Sequence, residues 1–345
     1  MLNELRQDPF TKRWVIIAKG RAKRPKDVRP HLPPKTTEQQ TCVLCPGQEH
    51  QSKEIFRIGK GKPGTPGWEV RGVLNKAPYF ETKKHQEPFS GREIFKKAIP
   101  AGTAEVLVET PHHKKELVFL SGQELEKVLL AYQIRYEALK QKWGEVSIFR
   151  NHGFLAGQSL AHPHTQILAT LNRSPENKKE ELNSIEYFYG HDSCVYCDVI
   201  TAELAKKECV VFQNNSFVAV CPWASQKPYE VIIFPRRHAP NFDSITMAEI
   251  RDLATPLQEI LQKMYTFFGD PDYNFYIRSF SPVAPLSSST HWYLRIIFHL
   301  SIAGGYEASS SSFVNPMPPE EAAKILRRGK NKVNWQQLYK NFQKD

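Results

Sequence analysis

Apolar positions along this chain fall into two rhythms, and the pair of rhythms occurs twice. The runs Val106-Leu107-Val108 and Val231-Ile232-Ile233-Phe234 have the length and branched content of strands. Each follows a glutamate, Glu105 or Glu230, and leads through a proline to a histidine eight places after it, His113 or His238. The segments Ser121–Tyr132 and Ile245–Leu261 come next, with apolar residues at three- and four-residue steps, as an amphipathic helix requires. A histidine then opens a further strand in each half: His162 before Ile167-Leu168-Ala169, and His291 before Leu294 to Ile297. A Cys-x-x-Cys pair precedes each series, Cys42/Cys45 and Cys194/Cys197. The chain reads as an internal duplication. It predicts an α+β fold of two tandem halves, residues 1–175 and 185–345, each an antiparallel sheet with helices on one face. The polar stretch near 172–190 is the expected boundary, and Pro319 with the acids after it fits a helix start.

Composition narrows the class. The 345 residues are 40% hydrophobic and 24% charged, as in a soluble globular protein of up to two ordinary domains. No apolar run is long enough to span a membrane, and the first six residues lack the apolar core of a secretion signal. A cytoplasmic location is the expectation. The net charge of +11 favours an anionic partner without choosing between nucleic acid, membrane surface and phosphorylated metabolite.

In a reducing compartment, paired cysteines point to metal or redox chemistry more than to structural disulfides. The repeated order supplies two Cys2His2 sets: Cys42, Cys45, His113 and His162 in the first half, and Cys194, Cys197, His238 and His291 in the second. Both suit a closed, structural zinc site. Cys209 and Cys221 stand outside them.

His162-Pro163-His164-Thr165-Gln166 carries the chemistry. Alternate residues of a strand share a face, so His162, His164 and Gln166 line up as a metal ligand, a nucleophile and an amide donor. In the second half Tyr293 stands where His164 stands, and Arg295 where Gln166 stands. Only the first half can be an active centre of this kind; the second keeps its metal set alone.

These residues resemble the galactose-1-phosphate uridylyltransferases, a branch of the histidine-triad superfamily. The likeness runs from Arg6–Ala18 through Arg21-Ala22-Lys23-Arg24 and Asn151–Ser159 to the His162–Gln166 motif and Gly305-Tyr306-Glu307. It implies two histidine-triad-like domains, a homodimer and ping-pong nucleotidyl transfer. His164 would take UMP from UDP-glucose and pass it to a hexose 1-phosphate, typically galactose 1-phosphate. It also implies donors to the phosphates from Gln166, Ser159 and Asn151, phosphate contacts from Arg21 and Arg24, a nucleotide contact from Asn75, and a hexose contact from Glu307. The second Cys pair with His291-Trp292-Tyr293-Leu294 resembles a sub-branch that includes plant relatives using ADP-glucose or adenylyl sulfate, and Lys76, where uridylyltransferases often have Asp, leaves the base open between uracil and adenine. Adenylyl transfer to phosphate or a sugar phosphate is therefore a second reading. A third is a zinc-dependent nucleic-acid-binding protein. His164 and Gln166 in one half only, and aromatics dispersed away from basic residues, argue against it.

Overall fold

The computed structural model of the chain describes residues 4–17, 42–78, 80–82, 100–280 and 287–328. The first half contributes β3 (Glu54–Gly59), β4 (Trp68–Leu74), β5 (Gly102–Val108), β6 (Glu145–His152) and β7 (His164–Thr170). The second contributes β8 (Val210–Gln213), β9 (Phe217–Val220), β10 (Val231–Pro235), β11 (Tyr273–Arg278) and β12 (Tyr293–Phe298). They form one ten-stranded antiparallel sheet in the order β3-β4-β5-β7-β6-β11-β12-β10-β9-β8. From either edge the order is the same: three strands in sequence, then the fifth, then the fourth. The repeats meet at β6 and β11, where Asn151 pairs with Asn274 and Phe149 with Tyr276.

The two segments of helical rhythm are α1 (Gly122–Lys140) and α4 (Met247–Phe268). Each starts with a reciprocal cap: Ser121 with Glu124, and Thr246 with Glu249, satisfying backbone N–H groups that a helix start leaves bare. The helices lie together on one face of the sheet. Val128, Leu129 and Tyr132 from α1 join Leu253, Leu257 and Ile260 from α4, over Ile148, Ile167, Phe275 and Ile296 of the strands.

The halves differ on the other face. The polar stretch expected between the halves folds as α2 (Pro175–His191), capped by Ser174 and followed by α3 (Val195–Lys206). Its Asn177, Glu180, Glu181 and Ser184 are buried, not solvated. Glu180 accepts from the Tyr196 hydroxyl at 2.9 Å and the Tyr293 hydroxyl at 2.8 Å, and pairs with Arg278 at 3.1 Å. Phe10 stacks on Tyr196 with centroids 4.4 Å apart. Helices therefore flank both faces in the second half, where the duplication predicts one. A small sheet of β1 (Glu4–Gln7), β2 (Trp14–Ile17) and β13 (Phe313–Asn315) ties the beginning of the chain to its end. After it comes α6 (Pro319–Arg328), which opens on Pro319 as its sequence requires.

Candidate active site and metal centres

The repeated cysteines and histidines converge as two sets of four, Cys42/Cys45/His113/His162 and Cys194/Cys197/His238/His291. Within each set the ligating atoms lie within 4.8 Å of one another. In the first, Sγ of Cys45 is 3.3 Å from Nδ1 of His113 and 3.4 Å from Nδ1 of His162, with Cys42 Sγ 3.7 Å from the latter. In the second, Cys197 Sγ is 3.4 Å from His238 Nδ1 and 3.6 Å from His291 Nδ1. Sulfur and nitrogen bound tetrahedrally to one zinc ion would be about 3.5 Å apart, given Zn–S near 2.3 Å and Zn–N near 2.0–2.1 Å. The donor sets fit zinc in kind and in spacing.

The far side of each imidazole is also arranged. His162 donates from Nε2 to the Thr110 carbonyl at 2.7 Å, and His291 from Nε2 to the Pro235 carbonyl at 3.0 Å. A proton fixed on Nε2 leaves the Nδ1 lone pair for the metal. Burial pushes the His162 imidazole down to about 4, so it is a neutral ligand at ordinary pH. The first set is buried throughout; in the second, Cys197 is half-buried and His238 exposed.

Two residues beyond His162, His164 opens β7 and is buried. Its Nδ1–H donates to the His162 carbonyl at 2.7 Å. That bond leaves the lone pair on Nε2. Desolvation by burial lowers the proton affinity of the ring, which keeps it neutral. Strand alternation puts Gln166 on the same face and turns Thr165 to the other. There Thr165 donates to Glu109 at 2.6 Å, and Glu109 also accepts from Tyr132 at 3.1 Å and from Arg150 Nε at 3.0 Å. This buried network locks β5, β6 and β7 together directly behind His164. Nothing in the sequence marks Glu109, Tyr132 and Arg150, since a glutamate carries no sign of burial.

Asn151, next to last in β6, lies on the face of His164; continuing the Phe149–Gln166 pairing by two residues sets it opposite that histidine. Asn75 follows β4, half-buried, its side-chain oxygen accepting from the Ala77 N–H at 3.0 Å. Ser159 is exposed on the loop between β6 and β7. Glu307 lies on α5 (Gly305–Ser310), accepting from the Gly304 N–H at 2.9 Å. Arg21 and Arg24 fall outside the described residues. The corresponding face of the second half is filled: Tyr293 is tied to Glu180, and Arg295 is buried against Glu230.

Two family models account for most of the chain. Residues 1–173 match the galactose-1-phosphate uridyl transferase N-terminal domain, and residues 180–299 match its C-terminal domain. The chain belongs to the galactose-1-phosphate uridyl transferase family. Family members of two names resemble it closely. An ADP-glucose phosphorylase of Arabidopsis thaliana is 32% identical, covering 94% of this chain and 92% of its own. A galactose-1-phosphate uridylyltransferase of Thermotoga maritima is 27% identical, covering 94% of this chain and 98% of its own. The crystal structure of an Arabidopsis thaliana ADP-glucose phosphorylase with bound ADP-glucose superposes with a TM-score of 0.83 at 29% identity, over 96% of this chain and all of that one. Membership makes the protein an enzyme of the nucleotidyltransferase type. Among the described residues, no helix is long and apolar enough to cross a membrane.

Proposed function

We propose that the protein transfers a nucleoside monophosphate through a covalent intermediate on Nε2 of His164. The observation that carries this is the His164 Nδ1–H bond to the His162 carbonyl. It commits the neutral ring to presenting its other nitrogen, the nucleophile the reaction needs. Nε2 attacks the α-phosphorus of a nucleoside diphosphate sugar. The bond from that phosphorus to the bridging oxygen breaks, and the sugar 1-phosphate departs. An acceptor phosphate oxygen then attacks the same phosphorus and expels His164. Gln166 and Asn151, on the same face, supply N–H donors to the equatorial oxygens as charge builds there. Zinc on the first Cys2His2 set would hold the backbone two residues from the nucleophile, and four protein ligands leave it no open position for substrate.

For the donor we favour ADP-glucose, with inorganic phosphate as acceptor, giving ADP and glucose 1-phosphate. The support is the 32% identity to the protein named ADP-glucose phosphorylase, together with Lys76 after Asn75. Transfer of UMP from UDP-glucose to galactose 1-phosphate is the second reading, favoured by the family description and the Thermotoga maritima relative. Membership in an enzyme family favours either over a nucleic-acid-binding role.

Intact-mass spectrometry after mixing with each nucleotide sugar tests the reading. An adenylyl adduct from ADP-glucose that is absent in His164→Asn is expected. A uridylyl adduct alone would install the second reading. No adduct from either donor, on folded zinc-loaded protein, would remove the covalent mechanism.

A further inference from the structure

The geometry points to Asn274 and His299, both from the second half, as positioning residues that aim the Asn151 carboxamide at the transferring phosphoryl group. This rests on the covalent transfer proposed above.

Asn274 faces Asn151 across the junction of β6 and β11. Its Nδ2 donates to the Ala156 carbonyl at 2.9 Å and to Asn151 Oδ1 at 2.8 Å. A backbone carbonyl can only accept, so the Asn274 amide can sit only one way round. Its Oδ1 then faces His299, whose Nε2, 2.5 Å away, must carry the proton. The next member follows by the same logic. Asn151 Oδ1 is occupied by Asn274, so its amide cannot turn over without setting NH2 against NH2. What remains is Asn151 Nδ2, held only by a 3.5 Å contact with the Gly157 carbonyl, at the limit of hydrogen bonding. A two-hydrogen donor is thus left with capacity on the half-exposed face, opposite His164 in the strand register.

The relay is braced from behind. The His299 N–H donates to the Asp272 carbonyl at 2.8 Å, and Asp272 Oδ2 accepts from the Leu155 N–H at 2.5 Å. The half that lost its own nucleophile thereby fixes the direction of a donor in the half that kept one. Donors fixed before the reaction stabilise a transition state without reorganising.

Asn274→Asp is nearly isosteric and reverses the polarity. The new carboxylate repels Asn151 Oδ1 and draws the Asn151 NH2 toward itself, away from the phosphoryl group. Single-turnover formation of the nucleotidyl adduct is expected to slow roughly 10²-fold, the effect of removing one oxyanion donor. The half-saturating donor concentration should change little, because the lost interaction belongs to the transition state. Asn151→Ala should slow the step equally, and the double variant no further. His299→Gln, which keeps an N–H donor, should retain the rate, and His299→Phe should lose it. These histidine variants carry the test if Asn274→Asp does not fold. A folded Asn274→Asp at the wild-type rate, or losses that multiply in the double variant, would overturn the assignment while leaving His164 chemistry standing. An unreactive wild type would overturn both.

Discussion

His152 has a carboxylate at each ring nitrogen: Glu116 Oε2 lies 3.3 Å from Nδ1, and Asp270 Oδ1 lies 2.8 Å from Nε2. Burial opposes the charged ring, but the two carboxylates outweigh it and raise the imidazole from 6.5 to about 9. The folded protein then binds the proton more tightly than the unfolded chain. The stabilisation is complete below pH 6.5 and fades as pH rises through 9. Urea denaturation should show a loss of about 3 kcal/mol across that window, and His152→Gln should flatten the profile. Glu109 is the other informative residue at this scale. Removing it leaves Arg150 in the interior with one carboxylate fewer, so Glu109→Ala should cost about 3–5 kcal/mol in the same measurement. The two Cys2His2 donor sets could be read from sequence because cysteine and histidine at repeated spacing have few other uses. Glu109 could not, because its partners Thr165, Tyr132 and Arg150 reach it from three separate elements.

At the scale of elements, α1 and α4 were legible because local signals agree: a cap, an acid three residues on, and an apolar face. Thr246→Ala removes one such cap and should lower stability by about 1 kcal/mol, read from the denaturation midpoint. The segment forming α2 reads as a polar linker between the halves, and its composition hides that it is a helix with a buried polar side. Its Glu180 carboxylate is consumed inside by Arg278, Tyr196 and Tyr293, partners that sequence spacing cannot reveal. The turn after β6 depends on Gly153, whose φ is +87° and where a Cβ would meet Asp272 Oδ1 at 2.0 Å. Gly153→Ala must displace that carboxylate or the loop. Adduct formation should fall in a variant that keeps most of its far-ultraviolet dichroism.

For the whole molecule, the two candidate metal centres share a donor set and differ in shelter. Metal analysis of purified protein should find two zinc ions per chain. A chelator should strip them in two stages, the second-half ion first, since His238 is exposed and Cys197 half-buried while the first set is buried throughout. Adduct formation should survive the first stage and fail at the second. Simultaneous loss of both ions, with activity falling in step, would show that the centres are not independent.

The chain by itself determined the repeat, the two long helices, the strands around the repeated histidines, both Cys2His2 donor sets, and which half carries the His-Pro-His-Thr-Gln motif. The elements rest on residue types at fixed short spacings, which local geometry makes neighbours, and the donor sets on an order of Cys pair, histidine, helix and histidine that occurs twice. The tertiary structure decided that the two half-sheets merge edge to edge into one. It decided that one face of the second half is filled while its counterpart stays open around His164. It also brought Asn274 and His299 beside Asn151. These depend on pairings between separate elements, where strand edges and buried polar groups must satisfy one another, and no local pattern encodes which of them will meet.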